Sequence, residues 1–215
     1  MPVAMLIPTL NRASKIPSIT DNVLASTEHA NVYFICERDD KDSINMVVGT
    51  VGANLIINQR KANYAGAINT GLLETDEPYL FAGADDLSFQ PGWFEAAVSL
   101  MPFGAEVVGT NDLHNQQVLA GDHATHYLVS RHYAMQGCVD QPGIMLHEGY
   151  DHNWCDAEFI ETAKSRGKFL PCLSATVEHL HYVWGKAPLD DGYNKSFRNE
   201  PTDRRLFQER QHLWT

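Results

Sequence analysis

The chain has 215 residues, with 16 Lys and Arg against 27 Asp and Glu and a formal charge of −11. That length suits a single α/β domain over residues 1–215 that buries roughly 70% of its unfolded surface, so neither a metal nor a disulfide is required for stability. The acidic field repels phosphate backbones and argues against tight binding to naked duplex DNA, and no run of about 18 apolar residues is present to cross a membrane.

The N-terminus, Met1 to Pro8, has no basic segment ahead of a long apolar one, so nothing directs the chain out of the cytoplasm. Val3 to Ile7 reads as a buried strand, ended by Pro8 and the polar turn Thr9-Leu10-Asn11-Arg12, and Ile16, Ile19, Val23 and Leu24 mark a helix. Val32 to Cys36 is a second strand closed by Glu37-Arg38-Asp39-Asp40, followed by a short helix that ends at Gly49. Ala53 to Ile57 is a third strand, and Asn63 to Glu74 a helix with Ala65, Ile68 and Leu72 on one face. Tyr79 to Ala82 is a fourth strand, stopping at two adjacent carboxylates, Asp85 and Asp86. A helix is expected from Pro91 through Phe94, Ala97, Val98 and Met101. Strands alternating with helices at this spacing imply a parallel, right-handed, doubly wound sheet, with ligands beside the strands' carboxyl ends.

Past Met101 the rhythm changes. Ala105 to Gly109 is a strand, Thr110 to His126 a polar, His-rich loop, and Tyr127 to Val129 a strand. Cys138 to Asn153 is irregular, and a helix from about Cys155 to Arg166 is stopped by Gly167. Phe169 to Val177 is extended and leads into Glu178-His179-Leu180-His181, where alternation points both histidines to one side. A polar tail precedes a closing helix from Asp203. Cys36, Cys138, Cys155 and Cys172 show no CxxC spacing and read as reduced core residues.

In this order the signals resemble the GT-A fold glycosyltransferases of the family-2 type, from Val3 to roughly Trp184. The resemblance rests on Pro8-Thr9-Leu10-Asn11-Arg12 after the first strand, an acid after the second (Glu37 or Asp39), Asn63-Tyr64-Ala65-Gly66-Ala67-Ile68-Asn69, Gly83-Ala84-Asp85-Asp86, and Cys155-Asp156-Ala157-Glu158-Phe159. It implies a Rossmann-like mixed sheet flanked by helices, with residues 1–101 as the nucleotide-sugar half and 102–215 as the acceptor half. It also implies a donor site of Pro8, Thr9, Asn11, Arg12, Glu37, Asp39, Asn63, Gly66, Asn69, Ala84 and Asp86. By the same resemblance Mn²⁺ or Mg²⁺ is held by Asp85 with His181 or His179, since such an ion neutralises a departing diphosphate in an acidic site. Asp156 stands where inverting members carry their general base, and His152, Trp154 and Glu158 are the acceptor-side candidates. Two positions depart from the pattern: Gly83 replaces the first acid of the Asp-rich motif, and Cys155 replaces the Glu before the base.

Each candidate has a plainer alternative. Asp86 and Ser88 can be loop-shaping caps, Asp156 in a helix's first turn can be there for the dipole, and Trp154 can be core. A catalytically silent nucleotide-sugar or glycan-binding module is the second reading, encouraged by Gly83 and Cys155. A nucleotidyltransferase is the third, though Leu10-Asn11-Arg12 stands where those enzymes carry a Gly-rich loop. The acceptor is left open as a glycan, a protein or a modified base. The lack of a fused module resembles stand-alone enzymes of bacteria or bacteriophages, the latter working in the host cytoplasm.

Overall fold

The structure is a computed structural model describing residues 1–215. Eight strands and eight α-helices follow one another in the chain. They are β1 (Val3–Thr9), α1 (Ile16–Ser26), β2 (Ala30–Cys36), α2 (Lys41–Gly49), β3 (Ala53–Ile57), α3 (Tyr64–Leu73), β4 (Tyr79–Ala82) and β5 (Leu87–Phe89). Then come α4 (Trp93–Val98), β6 (Val107–Asn111), α5 (Gln116–Leu119), β7 (Tyr127–Ser130), α6 (Arg131–Ala134), α7 (Cys155–Ser165), β8 (Phe169–His179) and α8 (Asp191–Arg210).

The strands form one sheet in the order β3-β2-β1-β4-β7-β6-β8-β5. Its first four strands are parallel, as three βα units in succession require. β7 then enters antiparallel to both β4 and β6, which makes the sheet mixed. β1 sits inside the sheet, and its alternate residues feed two cores: Ala4 and Leu6 pack with α3 and α7, while Val3, Met5 and Ile7 pack with α1, α2 and α4. A strand covered on both faces has to be apolar throughout, which is why Val3 to Ile7 reads as an unbroken run. All four cysteines are buried and free, as expected.

Four of the departures from expectation have a plain physical reason. The helix expected at Pro91 starts at Trp93, because Gly92 takes the left-handed conformation (φ 82°) and turns the chain first. Leu87 to Phe89, read as loop, is a strand, because it finds the end of β8 as a partner. β8 stops at His179, so strand alternation does not place His181, which instead begins a 3₁₀ turn at Tyr182–Trp184. α8 starts at Asp191 and not at Asp203; Asp190 caps it by accepting from the Tyr193 amide at 3.0 Å, and Pro201 is carried within the helix.

Gly66 matters for packing. A Cβ there would lie 2.1 Å from the Lys61 carbonyl oxygen, a backbone atom that cannot step aside. Gly66→Ala is expected to cost about 1–3 kcal/mol, read as a lower midpoint in urea unfolding at unchanged slope.

Candidate active site

A cleft of about 1530 Å³ opens along the carboxyl ends of the first four strands and under α8. It is larger than the roughly 300–1,000 Å³ of an ordinary small-molecule site. It is lined by Pro8, Thr9, Asn11 and Arg12 after β1, by Glu37 and Asp39 after β2, by Asn63 at the head of α3, and by Ala84, Asp85 and Asp86 after β4. His152, Trp154, Asp156, His179 and His181 close the other side.

Backbone pairing assembles the acidic end. β5 follows Asp86 at once and pairs antiparallel with β8, Leu87 opposite His179, while the Leu180 amide donates to the Asp86 carbonyl at 2.8 Å. That register sets the His179 Nε2 atom 3.5 Å from Asp86 Oδ1. The Tyr193 hydroxyl of α8 donates to Asp86 Oδ2 at 2.7 Å. Burial works against charge on Asp86, yet His179 and Tyr193 outweigh it and hold the carboxyl far below the usual range. Asp85 is pushed the other way, upward, by burial and by the neighbouring Asp86, against the pull of Arg12. Arg12 Nη1 donates to Asp85 Oδ1 at 2.7 Å and Thr9 Oγ1 to Asp85 Oδ2 at 2.8 Å. The guanidinium also reaches Asp190 at 2.7 Å and lies 4.6 Å over the Tyr193 ring.

The donor set suits a divalent cation. Asp86 Oδ1 and His179 Nε2 stand 3.5 Å apart, a carboxylate oxygen beside an imidazole nitrogen, ligand types that a divalent first-row ion accepts. The His181 ring lies 4.9 Å from that of His179, and burial lowers its pKa to about 4, so it stays a neutral nitrogen ligand at pH 7. No three His, Cys, Asp or Glu side chains converge as a closed cage. An ion here would complete its shell with phosphate oxygens, the usual arrangement for Mg²⁺. A Cβ on Gly83 would meet the Leu6 carbonyl oxygen at 3.2 Å, so a side chain at this position sits tight against the β1 backbone.

Asp156 occupies the first turn of α7 and faces the cleft with its side chain a quarter exposed. The loop before it is held by α8. Asp203 is 1% exposed and accepts from the Asp151, His152 and Asn153 amides at 2.8, 3.0 and 2.8 Å. Trp154 takes φ 70° and its indole N–H donates to Glu200 at 3.3 Å.

Three expected site residues do not line the cleft. Gly66 packs on the Lys61 backbone as described. Asn69 is fully buried, donating to the Leu146 carbonyl and accepting from the Met145 and Leu146 amides, so it pins a loop and has no face left for a donor. Glu158 accepts from the Tyr150 hydroxyl at 2.6 Å and from Arg210 at 2.8 Å, turned into the core where no acceptor reaches it. The residues missed by pattern alone are Asp190, Tyr193 and Asp203 of the C-terminal segment and the histidines at 123 and 126. The Asp190-Asp191 pair ahead of Tyr193 was the available sign of a helix cap.

Comparisons with known proteins agree with this architecture. A sequence comparison with curated proteins finds no match. Glucosyl-3-phosphoglycerate synthase from Mycobacterium tuberculosis, solved with Mn²⁺, UDP-glucose and phosphoglyceric acid, superposes with TM-score 0.62 at 12% identity, over 83% of this chain and 71% of the synthase. A mannosyltransferase from Pyrobaculum calidifontis, solved with GDP-Man and Mn²⁺, gives 0.63 at 13% identity over 82% of this chain and 56% of its own. Both likenesses are of fold. The family model of glycosyl transferase family 2 matches residues 5–162, well over half of the sequence, and with the mixed, doubly wound sheet this makes the chain a member of glycosyl transferase family 2.

Proposed function

We propose that the protein moves a sugar from a nucleoside-diphosphate sugar to an acceptor hydroxyl, in a cation-dependent, inverting displacement with Asp156 as the base. The observation that carries this reading is one continuous cleft lined both by the acidic pair after β4 and by Asp156 of α7. The relatives solved with UDP-glucose or GDP-Man and Mn²⁺ support the donor class and the cation.

Residues 1–101 form the donor half in this reading. Asp39, exposed after β2, and Glu37, fixed by the Asn58 amide at 2.7 Å, flank the place of the base. Where the sequence put the cation on Asp85, both Asp85 oxygens accept from Arg12 and Thr9, so in this reading Asp86 and His179 would hold it, with Asp85 and His181 beside them, and it would supply charge neutralisation for the diphosphate. Arg12 is the one permanent protein cation against these acids and orients the same phosphates. Residues 102–215 form the acceptor half, where His152 and Trp154 line the entry to Asp156. The acceptor oxygen attacks the anomeric carbon, the bond to the diphosphate oxygen breaks with its electron pair, and the hydroxyl proton passes to the Asp156 carboxylate.

Thermal unfolding with a panel of nucleotide sugars, with and without Mn²⁺, tests the donor half. A matching donor at a hundred times its dissociation constant is expected to add about 2.7 kcal/mol, and only with the cation present. Equal stabilisation with EDTA would remove the cation from the scheme. No helix is long and apolar enough to cross a membrane.

A further inference from the structure

We propose that His123 is a positioning residue for Asp156: it stands at ion-pair range from one carboxylate oxygen and so sets the carboxylate's orientation in the cleft. The inference rests on the reading of Asp156 as the base, and deepens it by assigning the group that orients it.

His123 lies in the loop between α5 and β7, a segment without periodicity that the sheet carries over the head of α7. Its Nε2 atom lies 3.6 Å from Asp156 Oδ2, and its side chain is only 15% exposed. Asp156 is the single acid within ion-pair reach of it. Asp156 itself lines the cleft in which an acceptor hydroxyl would stand. The groups around Asp156 otherwise offer it little help. Tyr64 of α3, Tyr127 of β7 and Cys155 of α7 are neutral, the His126 ring has neither nitrogen hydrogen-bonded, and His152 lines the same cleft. Burial by itself drives a carboxyl toward its protonated form, in which it cannot take a proton. Here burial is outweighed, by His123 first and the Ala157 amide next, and Asp156 stays below the ordinary carboxylate range. The helix dipole acts in the same direction.

The test reads the carboxylate itself. In protein labelled with ¹³C at aspartate carboxyls, the Asp156 signal is assigned by its loss in Asp156→Asn and titrated in the parent, in His123→Asn and in His123→Gln. Removing the imidazole is expected to raise the Asp156 midpoint by about one unit or more, the size of effect an opposite charge at this range has. The acid limb of turnover should move by the same amount with donor KM unchanged, which a purely structural loss would not produce. An Asp156 midpoint that stays put in both folded His123 variants overturns the proposal. A base misassignment shows differently: the midpoint moves, but Asp156→Asn leaves turnover intact.

Discussion

Asp156→Asn is expected to lower turnover by about 10²- to 10⁴-fold while nucleotide-sugar affinity changes by no more than about twofold. The amide keeps the carboxylate's shape and cannot accept the proton, so the loss falls on the chemical step. Donor affinity is expected to survive because the acids assigned to the diphosphate in the proposed scheme, Asp85 and Asp86, sit after β4 and share no hydrogen bond with Asp156. Turnover, donor titration by calorimetry and the anomeric configuration of the product by NMR read these quantities separately. Near-normal turnover, or a product that keeps the donor's configuration, would leave Asp156 as a helix-cap acid. Glu158, two residues on, gives the contrast: locked against Tyr150 and Arg210, its replacement by Gln should lower stability and leave the proton-transfer step itself intact.

The second large effect is expected at Arg210. Its guanidinium is 12% exposed and bridges Glu158, itself 4% exposed, and Asp140. Arg210→Met would leave the Glu158 charge buried with only the Tyr150 hydroxyl for support, a loss of about 3 kcal/mol and roughly 6–12 °C in Tm for a domain of this size. Differential scanning calorimetry decides it. The double variant Arg210→Met with Glu158→Leu should recover most of the loss, since no unpaired charge then remains inside. A drop under about 1 kcal/mol in the single variant would mean that α8 is held by its other contacts. Those contacts are part of the site: Tyr193 on Asp86, Asp190 on Arg12 and Asp203 on the 151–153 amides all belong to the same C-terminal segment. A loosened α8 should therefore weaken cation-dependent donor binding as well as stability.

Much of the cleft at the ends of the parallel strands was legible from residue order. β1 and β4 are covered on both faces, so their apolar runs stand out, and the polar turns that follow them have to lie together where parallel strands end. Arg12 and Asp85, 73 positions apart, meet for that reason. Asn69 and Gly66 were misread because a polar or small residue near a strand end looks the same whether it faces a ligand or pins a neighbouring loop. Only the loop at 145–148 closing over Asn69 settles which.

The sequence by itself determined the alternating architecture, the acidic pair after the fourth strand, the acid at the head of α7 and the buried state of the cysteines. These follow from periodicity and from the order of strong local signals. The tertiary structure alone decided that a three-residue strand pairs with β8 to bring His179 to Asp86, and that the polar tail is a helix reaching from Asp86 to Glu158. It alone also decided that His123 stands beside Asp156. Each of these depends on contacts between residues tens of positions apart, in segments too short, too polar or too irregular to carry a period of their own.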